Sequence, residues 1–267
     1  PARAPYDFYS KEYQKGLQLY ASGVLIMDKC ADLLPDCFSF IRGLVDSQDL
    51  SLNLSREMLQ HDRQLRLIAA RLEKKIKSEL LSMLKDEREN YEKFYRSFGL
   101  QMKYGLYASY GQNKALLADL LLYESSFEKK LVTLDEYVAR MKSDQKYIYF
   151  ASGESTARLS ALPQAERLIE RGYEVLYMTD SVDEFAVRMM HDYAEKEFKS
   201  ITEADLGIDS EQEREDIAQK NEQFRAVLDF VKTHLGDKVE QVRLTGRLKS
   251  FPVCLAAEGD VSLEMER

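Results

Sequence analysis

The chain has 267 residues, of which 45% are apolar and 31% are charged, and its formal net charge is -8. This composition indicates a globular protein, and the length predicts two or three domains. An acidic chain without clustered Lys and Arg argues against a nucleic-acid partner. No run reaches the roughly 18 apolar residues of a membrane span, and no apolar leader opens the chain, so we expect a cytoplasmic protein without a membrane partner.

Short strands are predicted in residues 1–50. In "LQLYASGVLIM", Leu17, Leu19 and residues 24–27 have strand character, and "CFSFIRGLVDS" indicates a second strand-like stretch near Gly43. The chain has three cysteines, an odd number, and none has the spacing of a zinc site. We therefore expect free, buried thiols.

Residues 51–145 are predicted to be mainly helical. Apolar residues recur every three or four positions, which indicates a long amphipathic helix. These residues are Leu65, Ile68, Leu72, Ile76, Leu80 and Leu84. The segments "YEKFYRSFGLQM" and "NKALLADLLLYES" are predicted to supply two more helices of a small three-helix bundle.

Residues 146–205 alternate between strand and helix. "KYIYFAS", "YEVLYM" and "EFKSI" are predicted strands, and the helix between the first two is interrupted near Pro163 and ends at Gly172. Ser181 and Glu184 have the spacing of a capping box for the helix "VDEFAVRMMHDY". Because neither GxGxxG nor GxxxxGK[ST] is present, the sequence does not support a phosphate loop here.

Residues 206–267 are predicted to form an acidic connector, a helix that stops at Gly236, and two short strands, "QVRLTGRL" and "PVCLAAEG". Little chain follows these strands to cover them, so we expect this region to be the beginning of a further domain. The whole chain is therefore predicted to be α/β (α+β).

Conventional catalytic motifs are scarce, and we predict no metal site because His61, His191 and His234 are far apart. The best chemical candidate is "LNLSREMLQ", where Arg56 occupies the first turn of a predicted helix. Gln60 shares its face, and Asn53 lies in the preceding loop. These donors and the free amides of a helix start suit an anion such as phosphate. The alternative is an exposed arginine without a ligand.

The segment "FIRGLVDSQDLSLNLSREMLQ" closely resembles the catalytic-loop region in the middle domain of the heat-shock protein 90 chaperones. The resemblance extends to "PYDFYSKEYQKGLQLY", "VLIMDKCADLLPDCFSF", "LDEYVARMKSDQKYIYFASGES" and "LIERGYEVLYMTDSVDEF", and its style is that of the bacterial members. Two departures from the family pattern are "ASG" at residues 21–23 and Ser51, where proline is common. Serine predicts a looser loop before the arginine.

The resemblance implies an ATP-dependent chaperone. An N-terminal domain outside this chain would bind ATP with Mg, and Arg56 would reach its γ-phosphate, with Gln60 assisting and Asn53 in the same loop. We therefore expect the chain alone to hold no cofactor and to hydrolyse no ATP. The remaining alternative is a non-enzymatic scaffold of helical and α/β parts.

The resemblance also implies a domain order. Residues 1–50 would end a large α/β sandwich, 51–145 would contain the catalytic loop and a helical connector, and 146–205 would form a small α/β sandwich. Residues 206–267 would begin a C-terminal domain whose missing helices make a homodimer. The expected partners are the protein's own N-terminal domain, a second copy, and unfolded or partly folded client proteins.

A possible client surface is the amphipathic helix after Ser181. Its large apolar residues are Phe185, Met189 and Met190, followed by Tyr193. Such residues can form an adaptable apolar surface, but the same spacing is typical of a packed core. The sequence leaves both interpretations open.

Overall fold

A computed structural model describes residues 13–50 and 63–257, together with Ala4, Phe8 and Ser10. The architecture is mixed α/β, which confirms the predicted fold class. The strands are β1 Leu17–Ala21, β2 Val24–Cys30, β3 Leu44–Ser47, β4 Leu122–Ser125, β5 Leu131–Thr133, β6 Ile148–Ser152, β7 Val175–Met178, β8 Asp192–Tyr193 and β9 Lys196–Ser200. The α-helices are α1 Arg63–Asp86, α2 Arg88–Ala108, α3 Lys114–Leu117, α4 Leu134–Arg140, α5 Thr156–Ser160, α6 Glu166–Glu170, α7 Asp183–Met190, α8 Glu211–Gln223 and α9 Arg225–Leu235.

The chain divides into two compact units. Unit 1 contains Pro1–Glu124, Lys130–Ala139 and Asp180–Glu195. Unit 2 contains Ser125–Lys129, Arg140–Thr179 and Lys196–Arg267. Each unit has its own cluster of buried apolar side chains.

A three-stranded sheet in unit 1 has the order β2-β1-β3, with β2 antiparallel and β3 parallel to β1. Ser22 and Gly23 have φ values of 49° and 81°, so the chain reverses there and "LQLYASGVLIM" forms a hairpin. Leu17, Leu19 and Ala21 alternate into the core because successive side chains of a strand point to opposite faces.

Helix α1 confirms the predicted apolar stripe. Leu65 and Leu80 are buried, and the intervening Ile68, Leu72 and Ile76 pack against the buried cluster of the β2-β1-β3 sheet. Free cysteines are also confirmed, since Cys30 and Cys37 are buried and Cys254 is partly buried, all as thiols.

The predicted third helix of the bundle is wrong. In "NKALLADLLLYES" only α3 is α-helical; a 3₁₀ turn follows at Ala118–Leu120, and β4 then pairs antiparallel with β5. Residues 120–123 are all buried. A short, fully buried run of apolar residues is compatible with a strand as well as with a helix, so the spacing of apolar residues alone does not distinguish the two.

Unit 2 contains the predicted βαβ arrangement. Strands β6 and β7 are parallel, α5 and α6 lie between them in the chain, and β9 is parallel to β6. Gly172 has a φ of +71°, and its N–H donates to Ile169 O at 2.9 Å, which ends α6 as predicted.

The C-terminal part of unit 2 differs from the prediction in two ways. The single predicted helix is divided at Phe224 into α8 and α9. Between residues 239 and 257 no strand forms, and only an isolated bridge joins Glu203 to Ala257. The predicted strands are wrong because a strand needs a neighbour for its backbone groups, and the described part of the chain offers none here.

Candidate functional site

The residues predicted to contact ATP, Asn53, Arg56 and Gln60, lie outside the described residues. On the preceding side, β3 ends at Ser47, and Leu50 is buried in the core of unit 1. On the following side, the described part of α1 begins at Arg63. The anion site at Arg56 therefore stays a prediction.

The predicted client residues fall on and just after α7, in unit 1. Met190 and Tyr193 are buried, with 1% and 7% of their surfaces exposed. Phe185 is 40% exposed, and Met189 is partly buried. The structure thus divides the four residues between a core pair and an accessible pair.

Exposed aromatic side chains also occur near the end of α2 and just after it, and together with Phe185 we call them the aromatic patch. It consists of Tyr104, Tyr107, Tyr110 and Phe185, with exposures between 40% and 81%. Tyr107 and Phe185 touch edge to face, with ring centroids 5.6 Å apart. This patch gives α7 and the end of α2 an apolar surface that water reaches.

The packing of α2 explains why these tyrosines are exposed. Tyr91, Tyr95, Phe98, Met102 and Leu106 form its buried stripe, at the three- and four-residue spacing of one helix face. Tyr104 and Tyr107 fall off that stripe. The sequence interpretation missed them because the helical segment it considered, "YEKFYRSFGLQM", ends at Met102, although the apolar spacing continued along the helix would have separated the two faces.

A buried lysine holds α7 against α2. The Lys103 ammonium, 5% exposed, lies 2.7 Å from Asp180 and 2.6 Å from Asp183, and Asp183 is itself buried. It also lies 5.0 Å from the centre of the Tyr123 ring. Burial disfavours its charge, but the neighbouring Tyr95 and Asp183 outweigh burial and raise the pKa of Lys103. The ammonium is therefore retained as a charged link between the two helices.

The end of α7 is fixed by the Tyr193 hydroxyl. This group lies 3.0 Å from an Asp119 carboxylate oxygen and 2.8 Å from one of Asp135. Burial, followed by these carboxylates, raises the pKa of Tyr193. Lys77 is paired with Asp119 at 2.6 Å and balances part of the negative charge. These contacts give Tyr193 a structural role.

The start of α7 is not capped as the sequence predicts. Its N-cap residue is Val182, and no side chain caps the helix. Glu184 pairs with Arg188 at 2.9 Å, and the Asp183 carboxylate accepts a bond from the Asp180 N–H at 3.0 Å. The S-x-x-E capping box at Ser181 is therefore wrong. The same motif does form at Ser210 and Glu213, where α8 begins.

Comparison with known proteins decides the family. The family model described as Hsp90 protein matches residues 1–267. The chain belongs to the Hsp90 family. It is 61% identical to chaperone protein HtpG of Alkaliphilus metalliredigens, 59% to that of Clostridium acetobutylicum and 58% to that of Bacillus subtilis, each over the whole of this chain. The resemblance to bacterial Hsp90 chaperones is thus confirmed.

This Hsp90 chain spans less than half the length of those relatives, 42% to 43% of each. No helix in the described part of the chain is both long and apolar enough to cross a membrane. Within residues 13–50 and 63–257, no three His, Cys, Asp or Glu side chains are grouped to hold a metal ion.

Proposed function

We propose that this chain is the part of a cytoplasmic, ATP-dependent chaperone that supplies Arg56 to the γ-phosphate of ATP. The single observation that supports this is the Hsp90 family match over the whole chain, which includes the catalytic-loop motif around Arg56. The nucleotide and its Mg would be held by the N-terminal domain that the family resemblance implies. In the full-length protein we also propose a homodimer, formed through C-terminal helices.

The role proposed for Arg56 follows from phosphoryl-transfer chemistry. Negative charge on the transferred group is best stabilised by a fixed cation that adds its hydrogen bonds as the reaction proceeds. A guanidinium remains charged at all working pH values and offers several donors in one plane. Gln60, four residues later in the sequence, would orient the same oxygens, and Asn53 would add a further donor.

The first prediction concerns Arg56→Ala in the full-length protein. ATP turnover should fall by roughly 10²- to 10³-fold, the usual effect of removing one charge-stabilising donor, while ATP affinity changes little. Gln60→Ala should cause a smaller loss. The measurements are steady-state turnover and the binding of a fluorescent ATP analogue.

Two matched controls lie a short distance further along the chain, seven residues after Arg56 and four after Gln60. Arg63 and Gln64 are exposed at the described start of α1, so Arg63→Ala and Gln64→Ala remove the same groups from a neighbouring surface. Both should retain wild-type turnover. Unchanged turnover in Arg56→Ala would contradict the proposed role, and a wild-type full-length protein without ATP turnover would favour the scaffold.

We also propose that clients contact the accessible part of the helix α7 region. Phe185 is 40% exposed, its ring touches the exposed Tyr107, and Met189 lies partly exposed on the same helix. Exposed aromatic and Met side chains adapt to different apolar segments of an unfolded chain. The buried Met190 and Tyr193 would support this surface without touching the client.

The second prediction separates surface from core. Phe185→Ser should weaken the binding of an unfolded model protein, measured by fluorescence anisotropy, and should leave the free energy of unfolding within about 1 kcal/mol. Met190→Ala should lower the free energy of unfolding by about 2–5 kcal/mol, because it leaves a cavity.

The control for the client experiment is Leu67→Ser. Leu67 is 46% exposed on α1 in the same unit, so this change also removes exposed apolar surface. Equal loss of binding in Leu67→Ser and Phe185→Ser would show that the effect is not specific to the aromatic patch.

A further inference from the structure

Tyr110 combines a strained backbone with an exposed ring. Its φ is +50°, a conformation that is unfavourable for a bulky residue and is normally adopted by glycine. It is 81% exposed, the largest exposure of any large apolar residue in the described part of the chain. The strain is therefore not offset by burial of the ring in unit 1. Strain of this kind persists only where the surrounding structure fixes it.

The conformation of Tyr110 is fixed by the end of α2. The Tyr110 N–H donates to Tyr107 O at 2.9 Å. The Gly111 N–H donates to Leu106 O at 3.1 Å, and the two bonds together form the Schellman motif that closes a helix. Tyr110 occupies the position of this motif where glycine is usual. Gly111 has a φ of +78°, and a Cβ there would lie 2.1 Å from Met189 O, so the turn is packed directly against the end of α7.

The turn at Tyr110 is continuous with the client surface proposed on α7. Gly111, the next residue, lies against the partly exposed Met189. Tyr107, three residues before Tyr110, touches the ring of Phe185. Contacts with α7 therefore lie on both sides of Tyr110 in the chain. An extended segment bound along Phe185 and Met189 would also be within reach of the Tyr110 ring.

The charged side chains beside this turn are already paired. Lys114, which begins α3, lies 2.9 Å from Asp192, the residue that begins β8. On α7, Arg188 lies 2.9 Å from Glu184. Each of these pairs balances its own charge. The surface around Tyr110 thus offers apolar contact area without an uncompensated charge from these four residues, which suits an uncharged segment better than a charged one.

We propose that Tyr110 is a preorganised anchor that binds uncharged apolar segments of unfolded client proteins, beside Phe185 and Met189. A ring held outward by a fixed turn loses little conformational freedom on binding. Tyrosine is also among the residues that contribute most to interface binding energy. This proposal rests on the client surface proposed above, to which it adds a binding residue and the chemical class of the bound segment.

The experiment measures the binding of a short fluorescein-labelled peptide of Leu, Val and Ser to the whole chain by anisotropy. Tyr110→Ser should weaken binding by about tenfold, a typical effect for an interface tyrosine. Tyr110→Phe should bind like the wild type, because it keeps the ring. The matched control is Phe127→Ser: Phe127 is 67% exposed but belongs to unit 2 and not to the aromatic patch, so this variant should also bind like the wild type.

Phe185→Ser separates this proposal from the one on which it rests. Wild-type affinity in Tyr110→Ser, together with weaker binding in Phe185→Ser, would overturn the anchor role of Tyr110 and leave the client surface intact. Wild-type affinity in both variants, or no binding of the peptide by the wild type, would overturn both proposals.

Tyr110→Gly distinguishes a binding role from a structural one. It should weaken peptide binding as much as Tyr110→Ser, but it should raise the urea midpoint or leave it unchanged, because glycine adopts a positive φ without strain. Lys129→Gly is the matched control, since Lys129 is an exposed residue of unit 2 with a φ of +55°. It should relieve the same strain without a change in peptide binding. A lower urea midpoint in Tyr110→Gly would show that the ring stabilises the fold and would overturn the proposal.

The chemical class of the segment is tested with two further peptides in which Glu or Lys replaces Ser. The uncharged peptide should bind most tightly, and added sodium chloride should not weaken its binding, because no ion pair is screened. Tighter binding of either charged peptide would overturn the assignment to uncharged segments.

Discussion

At the residue scale, two buried tyrosines of unit 1 differ in whether their hydroxyl groups have a hydrogen-bond partner. The Tyr91 hydroxyl donates to the carbonyl oxygen of Leu120. The Tyr123 hydroxyl is equally buried but has no hydrogen-bond partner. A buried hydroxyl without a partner loses its hydration and gains nothing in exchange, so the two groups should contribute to stability with opposite signs.

The third prediction compares Tyr123→Phe with Tyr91→Phe. Tyr123→Phe should leave the free energy of unfolding unchanged or raise it by up to about 1 kcal/mol, and its ring should still face Lys103. Tyr91→Phe should lower it by about 1–3 kcal/mol, because Leu120 O loses its donor. Urea unfolding followed by circular dichroism measures both. A loss in Tyr123→Phe as large as in Tyr91→Phe would contradict the assignment.

At the element scale, the two S-x-x-E motifs of the chain show what a local pattern determines. At Ser210 the hydroxyl accepts from the Glu213 N–H at 3.2 Å, and the Glu213 carboxylate accepts from the Ser210 N–H at 2.8 Å. That bond from the Ser210 N–H is the main reason that the pKa of Glu213 is lowered. At Ser181 the same spacing forms no cap, because the N-cap residue is Val182 and Ser181 therefore lies one residue before it.

The fourth prediction uses this pair of motifs as its own control. Ser210→Ala should lower the free energy of unfolding by about 0.5–2 kcal/mol and should speed amide hydrogen exchange in the first turn of α8. Ser181→Ala should change it by less than about 0.5 kcal/mol, since that exposed hydroxyl caps nothing. Equal effects of the two changes would show that the Ser210 cap does not stabilise its helix.

Helices and strands with a regular spacing of apolar residues could be predicted from the sequence. Elements that form only beside a partner strand or a distant side chain could not. The stripe of α1 and the β6-to-β7 unit follow from apolar spacing, which local packing enforces. The β4 strand and the residues 239–257 depend on whether a partner strand is available, and that is decided by contacts distant in sequence. Lys103 was missed for the same reason, because its carboxylate partners are contributed by a segment about 80 residues later.

At the scale of the whole molecule, a buried thiol and a buried tyrosine hydroxyl of unit 1 make the stability fall as the pH rises into the alkaline range. Burial raises the pKa of Cys37 from 9.0 to about 12 and that of Tyr95 from 10.0 to about 12. The folded state therefore keeps protons that the unfolded state releases. The contribution of Cys37 and Tyr95 to the free energy of unfolding is therefore complete below pH 9 and is lost progressively between pH 9 and 12.

The fifth prediction follows from this loss of stability at high pH. The urea midpoint should fall steadily from about pH 9 upward, and in Tyr95→Phe the fall above about pH 10 should be less steep, because one of the titrating groups is gone. Tyrosinate absorbance on the same samples would show when ionisation accompanies unfolding. A midpoint that stays constant or rises up to pH 12 would contradict the prediction.

The chemistry proposed for Arg56 needs a second domain of the same protein. A local pattern at Arg56 indicated only that an anion is favoured there, since a helix start and an arginine suit many anions. The ATP phosphate and the second domain are proposals that rest on the family relationship. The aromatic patch, by contrast, follows from the face of α2 that its own sequence leaves unburied.

The buried position of Lys103 also has a chemical consequence. Its amine is shielded and protonated, so reagents that acylate lysine should modify exposed amines such as Lys74 and leave Lys103 unmodified while unit 1 is intact. Modification at Lys103, located by peptide mass spectrometry, would then report the opening of the α2–α7 packing in the native protein. A single side chain would thus serve as an internal reporter of the region that is proposed to contact clients.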